Sequence, residues 1–327
     1  MTQPLSQFSE NPAPPLVSVI IPTYKRAGFL VRALRSVFDQ TMSDLEVIVV
    51  VDGHDPETDA ALSTVTDPRL RIVSLPKRVG GSETRNTGVR ESRGAWIAFL
   101  DDDDEWMLHK LELQLKLAQS VTGEFFLVSS RVLAKTPRVE YEWPRRLPQP
   151  DEPLSEYLLT RDSLFRGERS IQTSTFFARR TLLEVCPFRP GQVKHQDTDW
   201  LLRAAQLPGF RVYFVNEVLV RLFMEESRQT VSSESLWHYS YTWARENRNL
   251  FTPRAYSGFL VNNVAPEAAD TRSFSAFVVL SREILRAGHT RFREICVYAA
   301  MWAIPRPLRR RMRDFATRFR PALVRPS

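Results

Sequence analysis

An open, mainly parallel α/β sheet flanked by helices, followed by a helical C-terminal extension, is the architecture this sequence predicts. Three observations predict it. Short β-branched runs alternate with amphipathic stretches from residue 17 onward. Polar and charged residues gather at the carboxyl ends of those runs. Beyond about residue 230 the runs stop and helical spacing takes over. Strands alternating with helices in this way make βαβ units, whose crossovers cover both faces of a parallel sheet.

The elements follow in order. Val17–Ile21 (VSVII), bounded by Pro22, reads as a buried strand. In AGFLVRALRSVFDQ, Phe29, Leu30, Ala33, Leu34, Val37 and Phe38 recur at helical spacing and give one apolar face. Glu46–Asp52 (EVIVVVD) is a second strand. DPETDAALSTV is a helix with Asp55 as N-cap and Pro56 at its first position, where a missing N–H is harmless. Leu70–Leu75 is a third strand, Ser82–Glu91 a short helix, and Ala95–Leu100 a fourth strand. Met107–Ala118 is helical, with Leu108, Leu111, Leu115 and Ala118 on one side. After residue 120 the pattern loosens. Phe125–Arg131 and Ser174–Arg180 read as strands, and TPRVEYEWPRRLPQPDEP between them as an excursion. The chain thus divides into a proline-rich, disordered lead-in (1–15), a sheet domain (16–228) and a helical extension with a basic tail (229–327).

With 43% hydrophobic and 25% charged residues, the 327-residue chain has material for a core, which excludes disorder over most of its length. No run reaches the roughly 18–20 apolar residues that span a bilayer, and the start lacks the basic flank and apolar stretch of a signal peptide. Both fit a cytoplasmic protein. Cys186 and Cys296 form neither a disulfide framework nor a CxxC zinc pair, and read as two reduced core thiols. The charge is uneven. Residues 286–327 hold 11 Arg against Glu294 and Asp314, a net of +9; the whole chain is +7, so residues 1–285 carry −2. Such a tail suits an anionic membrane, a nucleic acid or an acidic partner. Ile295–Ile304 (ICVYAAMWAI) is too short to span but can lie in an interface, with the following arginines at anionic headgroups. A helix packed on the domain with a solvated basic end is the other reading; association with the membrane surface is the one expected. The aromatic Trp237, Tyr239, Tyr241, Trp243 and Phe251 read as helix core.

Open parallel sheets bind ligands outside the carboxyl ends of their strands. There this sequence puts Pro22-Thr23-Tyr24-Lys25-Arg26, Asp52-Gly53 and Asp101-Asp102-Asp103-Asp104. Four adjacent carboxylates repel, so something must offset them. They suit a hard divalent cation such as Mg²⁺ or Mn²⁺. Two carboxylates one residue apart at a strand end point the same way, so Asp101 and Asp103 can reach a metal–diphosphate together. Taken alone, a solvated acidic turn capping the next helix is an equal reading. In HQDTDWLLR, Asp197 and Asp199 either open a helix or supply a general base; their spacing slightly favours the former. Arg85 and Asn86 in GGSETRNTG could contact phosphate or a sugar hydroxyl, though alone they read as an ordinary surface helix. His54 and His195 read as polar loop residues. No GxGxxG, P-loop or GxSxG motif is present.

VSVIIPTYKR, EVIVVVDG, GGSETRNTG, FLDDDDEW and HQDTDWLLR, in that order, resemble a family 2 glycosyltransferase of the GT-A fold over about residues 16–225. The resemblance implies an inverting enzyme that moves a sugar from a nucleotide diphosphate, usually UDP, to an acceptor hydroxyl in cell-surface polysaccharide or glycolipid synthesis. By position, Pro22, Thr23, Tyr24 and Arg26 would line the nucleotide pocket and Asp52 would accept a hydrogen bond from the base. Arg85 and Asp102 would join the donor site. Asp101 would lie near ribose and sugar, Asp103 with Asp101 would ligate Mn²⁺ or Mg²⁺, and Asp197 would be the catalytic base. Gln196 stands where Glu is usual, and Thr84 where Ala is. Neither membrane spans nor a QxxRW-type motif is found, so one sugar per binding event is expected. The acceptor implied is a hydroxyl, such as that of a lipid-linked glycan, with peripheral contact at the inner membrane face. The rival readings are a nucleotidyltransferase and a non-catalytic nucleotide-sugar-binding module. Nucleic acid is not an expected partner, because residues 1–285 are net acidic.

Overall fold

In the computed structural model, residues 13–136, 139–162, 168–224, 237–305 and 308–309 are described. Most of the lead-in, the boundary expected near residue 228 and most of the basic tail lie outside them. The first part runs β1 (Val17–Thr23), α1 (Ala27–Phe38), β2 (Leu45–Val51), α2 (Pro56–Leu62), β3 (Leu70–Ser74), α3 (Gly81–Glu91) and β4 (Trp96–Phe99). As expected, Asp55 caps α2, accepting from the Thr58 amide, with Pro56 at the first turn. β1, β2, β3 and β4 are parallel, in the order β3-β2-β1-β4. β1 therefore lies inside the sheet and contains Pro22. Its pairing with β4 stops at Ile20, so the missing N–H breaks no bond on that side.

The chain continues through β5 (Glu105–Trp106), α4 (Lys110–Ser120), β6 (Phe126–Lys135), β7 (Glu140–Trp143), α5 (Leu154–Leu159), β8 (Phe177–Arg179), α6 (Arg180–Val185), α7 (Gln196–Ala204) and β9 (Arg211–Phe223). β8 pairs antiparallel with both β4 and β6, and joins the parallel part to a second parallel pair, β6 and β9. The helix expected from Met107 starts instead at Lys110, because Glu105–Trp106 are held extended against β9 and the Met107 amide donates to Leu219 O. Leu108, expected in its apolar face, is 50% exposed. The excursion contains β7 and α5, and β9 completes the sheet.

Alternation along β1 sorts the core into two layers. Val17, Val19 and Ile21 face α1 and α4 with Val47, Val49, Leu34 and Leu111. Ile20 faces the other way, with Ile97, Phe99, Val89 of α3 and Trp200 and Leu201 of α7. α3 and α7 thus share one side of the sheet.

The C-terminal helices are α8 (Trp237–Glu246), α9 (Pro253–Phe259), α10 (Ala265–Asp270), α11 (Phe274–Ala287) and α12 (Phe292–Ala303), with a π-helical turn at Leu260–Val264. They share a third apolar cluster that takes in Trp237, Trp243, Phe251, Phe259 and Leu280 together with Leu159 of α5 and Leu202 of α7. Trp237, Trp243 and Phe251 are core, as expected; Tyr241 is half-buried against that cluster, and Tyr239 is half-buried outside it. Of the two thiols Cys186 is buried, but Cys296 is exposed, since it lies on the face of α12 opposite Tyr298. No described helix is long and apolar enough to cross a membrane.

Candidate active site

The acidic turn after β4 is not solvated. Asp102, Asp103 and Asp104 are all buried. Their repulsion is offset by donors from β1, α1, α3 and the turn before β8. Arg26 lies between two carboxylates, its Nη1 3.1 Å from Asp102 Oδ1 and 3.0 Å from Asp103 Oδ2. Thr23 Oγ1 donates to Asp102 Oδ2 at 2.8 Å, and Arg32 Nη2 to the Asp103 carbonyl at 2.7 Å. Ser174 Oγ donates to Asp104 Oδ2 at 2.6 Å. Burial pushes the Asp102 carboxyl up from its ordinary value, with Arg26 and Thr23 pulling it back. Asp104 is pushed up by burial and by the charges of Asp101 and Asp102. A proton held on Asp104 would relieve part of the crowding.

Arg85 is the hub. It is buried near the start of α3, so the surface-helix reading fails here. α3 lies close because Gly88 faces Ile20 of β1, where an added Cβ would come within 2.3 Å of a side-chain carbon. Arg85 Nη2 reaches Asp101 Oδ1 at 2.5 Å, and Nη1 reaches Gln196 Oε1 at 2.8 Å. One guanidinium therefore joins the β4 rim to the first turn of α7. Asp197 lies in that turn, its Oδ1 accepting from the Thr198 amide at 2.7 Å. Burial pushes its carboxyl up, Arg85 pulls it down, and Asp101 pushes it up again. Asp197 and the acidic turn thus feel each other's charge.

Asp52 sits beside Thr23, whose carbonyl accepts its amide at 2.9 Å. Its two carboxylate oxygens accept from the backbone amides of Val79 (2.7 Å) and Gly80 (3.0 Å). Asp52 therefore shapes the loop that opens α3, and retains lone pairs for a further donor. Tyr24 is half-buried, with the Arg78 guanidinium 4.6 Å from its ring centroid. Pro22 is likewise half-buried, at the tip of β1. Pro22, Thr23, Tyr24, Arg26, Asp52, Asp101, Asp102 and Asp103 lie at the carboxyl ends of β1, β2 and β4; Arg85 of α3 bonds to Asp101 there and to Gln196, the neighbour of Asp197 in α7.

Two candidates take other roles. Asn86 exchanges hydrogen bonds with the Phe188 backbone, at 2.7 and 2.9 Å, and is fully engaged there. Asp199 is buried among Arg203, Arg189 and Trp243, which makes it structural. His195 is a loop residue as expected, the one just before α7, but its ring is not left to solvent: it lies between Trp243 and Phe259. Ser174, Gln196 and Trp243 were not singled out as site residues from the sequence. Only Gln196 carried a signal, as the residue standing where Glu is usual.

A sheet with this strand order, an acidic turn at the carboxyl end of β4 and a C-terminal set of helices match the GT-A type of glycosyltransferase. The model of the family "Glycosyl transferase family 2" matches residues 18–186, more than half of the chain, and the chain belongs to that family. The amylovoran biosynthesis glycosyltransferase AmsB of Erwinia amylovora is 25% identical over 253 residues, 73% of this chain and 82% of that protein. A UDP-Glc:α-D-GlcNAc-diphosphoundecaprenol β-1,3-glucosyltransferase, WfgD of Escherichia coli, is 32% identical over 102 residues, 31% of this chain and 40% of that one. Among solved structures, S. aureus TarS (residues 1–349) with UDP-GlcNAc has a TM-score of 0.58 at 16% identity, covering 88% of this chain and 90% of its own. The mannosyltransferase PcManGT of Pyrobaculum calidifontis, with GDP-Man and Mn²⁺, has 0.54 at 19% identity, covering 89% and 87%.

Proposed function

We propose that this chain transfers one sugar from a nucleotide diphosphate donor, a UDP-sugar, to an acceptor hydroxyl with inversion at the anomeric carbon. The observation that carries this reading is the Arg85 bridge, which sets the turn bearing Asp197 against Asp101. Thr23, Tyr24, Arg26 and Asp52 would hold the nucleotide, and Asp101, Asp102 and Arg85 the diphosphate and sugar. Asp197 takes the proton of the incoming hydroxyl as its oxygen attacks from the face opposite the diphosphate. The raised affinity of Asp197 for a proton suits this task, since a base at an ordinary carboxylate value is a weak acceptor.

Asp101 and Asp103 present hard oxygen donors that suit Mg²⁺ or Mn²⁺. Among the described residues no three His, Cys, Asp or Glu side chains form a closed cage. An ion held here would thus complete its shell with diphosphate oxygens and water. When bound, it would supply charge neutralisation at the leaving diphosphate.

The relatives' names include amylovoran biosynthesis and an α-D-GlcNAc-diphosphoundecaprenol acceptor. They support a role in polysaccharide synthesis on a lipid-linked acceptor; on this reading the enzyme works in the cytoplasm, in peripheral contact with the inner membrane face. A domain division near residue 228 fits this reading, with the sheet domain binding the donor and the helical extension facing acceptor and membrane.

The test is product analysis. UDP-sugars with Mn²⁺ and an acceptor should release UDP and give a glycoside whose anomeric configuration, read by NMR, is inverted. Pyrophosphate release would instead identify a nucleotidyltransferase, and retained configuration would end the single-displacement reading.

A further inference from the structure

The segment leading into α7 is gripped by the C-terminal helices. The Val193 amide donates to Tyr239 Oη at 3.1 Å, and Lys194 Nζ reaches Glu267 Oε1 at 2.8 Å. His195 Nε2 lies 2.8 Å from Ser240 Oγ. His195 is also left-handed, with φ of 62°, a conformation that costs a non-glycine residue energy and persists only where the surroundings enforce it. Its enforcer is visible. The ring stacks on Trp243 with centroids 5.1 Å apart and meets the edge of Phe259 at 5.1 Å.

Trp243 does a second thing. Its indole Nε1 donates to Asp199 Oδ1 at 3.0 Å. Asp199 does not need that bond for charge balance, because Arg203 Nε lies 2.8 Å from Oδ2 and Arg189 Nη2 lies 3.3 Å from Oδ1. What the indole adds is direction. Asp197 lies midway between His195 and Asp199, two residues from each. A single side chain therefore fixes the residues on both sides of the base, one through its face and one through its N–H. Trp243 is itself fixed by Phe251 and Phe259, at 5.6 and 5.2 Å.

We propose that Trp243 is a positioning residue for Asp197, so that the C-terminal helical extension is part of the transfer machinery. The proposal rests on the reading of Asp197 as the base. Arg85 reaches the turn of Asp197 from α3, through Gln196, and Trp243 reaches it from α8, through Asp199. Base placement matters steeply: a displacement of about 1 Å can cost on the order of a hundredfold in rate.

The experiment uses the full chain with Trp243→Phe, which keeps one aromatic ring against His195 and removes the N–H together with the second ring of the indole. A second variant, His195→Asn, tolerates the left-handed backbone but lacks the stacked ring. Donor-site binding is measured by calorimetry with UDP and Mn²⁺, and its stoichiometry counts the folded sites. Turnover is UDP release from UDP-glucose, UDP-galactose and UDP-N-acetylglucosamine, divided by those sites. The expected result is a fall in turnover per site of about tenfold or more in both variants, with UDP affinity within about twofold of the parent. Turnover per site at the parent level would overturn the proposal and leave a packing role only. So would losses of turnover that merely track the number of UDP sites. Asp197→Asn is assayed in parallel. If that variant turns over like the parent, the base reading falls and this proposal with it; if it is inert while Trp243→Phe is fully active per site, only the role of Trp243 falls.

Discussion

Arg26, Arg85 and Ser174 explain how four consecutive carboxylates can be tolerated at the end of one strand: the first lies between Asp102 and Asp103, the second holds Asp101, and the third donates to Asp104. Arg85 also tunes Asp197, and the sign of that effect gives a pH prediction. Burial raises the Asp197 pKa and Arg85 lowers it, so the base form is lost as pH falls through a value above the ordinary one. Replacing Arg85 by Gln removes a stabilising positive charge, raises that value further, and should move the acid limb of the kcat profile to higher pH. A limb that stays put or moves down would show that Arg85 does not act on Asp197. Asp103→Ala should weaken UDP binding in the presence of Mn²⁺ about tenfold or more while leaving metal-free binding nearly unchanged; calorimetry with and without the ion checks this. The choice between Asp197 and Asp199 was not legible from two acids spaced two apart. What separates them is the company each keeps, and Trp243 and Asp101 lie far from them in the chain.

At the scale of elements, the βαβ half was readable because its signals are local. Val17–Ile21 and Glu46–Asp52 are continuous β-branched runs, and Asp55-Pro56 marks a helix start within two residues. The short β5 and the edges of α4 were not readable, because Glu105–Trp106 become a strand only by pairing with β9, more than a hundred residues on. The packing of α3 on β1 is a local requirement with a global effect. Gly88→Ala would drive a methyl into Ile20 and should cost about 1–3 kcal/mol, lowering the thermal midpoint and donor binding together. Glu46 ties β2 to its neighbours: it is buried and accepts from Ser18, Arg93 and Arg71. Burial pushes its carboxyl up, but the hydrogen bonds outweigh this and hold it below the ordinary value. Its contribution to stability is therefore present above the unfolded-state pKa and is lost as pH falls through the lowered folded value. Glu46→Gln should destabilise by on the order of 1–3 kcal/mol at neutral pH, with the gap to the parent closing in acid. Denaturant melts across pH would show a constant gap if the charge were irrelevant.

For the whole molecule, the sheet domain and the helical extension are joined through α7, which packs Trp200 and Leu201 under the sheet and Leu202 among the C-terminal helices. The basic tail was legible from composition alone, whereas the grip on His195 was not, since nothing in HQDTDW announces a partner in α8. The extension also turns large apolar side chains outward: Phe274, Leu285 and Phe292 are 78%, 74% and 82% exposed. Arg282 and Arg286 on α11 and Arg293 on α12, close to Leu285 and Phe292 in sequence, are exposed as well. This combination suits an anionic interface. Leu285→Glu with Phe292→Glu should fold normally and should reduce co-flotation with vesicles of phosphatidylglycerol and phosphatidylcholine at least severalfold. Equal recovery of parent and variant would remove the membrane from the proposal.

The proposal that Asp197 and the acidic turn serve one reaction is tested most directly by a single substitution read two ways. Asp197→Asn, assayed with UDP-sugars, Mn²⁺ and acceptor, should lose transfer by about a thousandfold or more while calorimetry shows UDP and Mn²⁺ still bound with near-parental affinity. Transfer at the parental rate in a variant that still binds UDP would contradict the assignment of Asp197 as the group that takes the acceptor's proton.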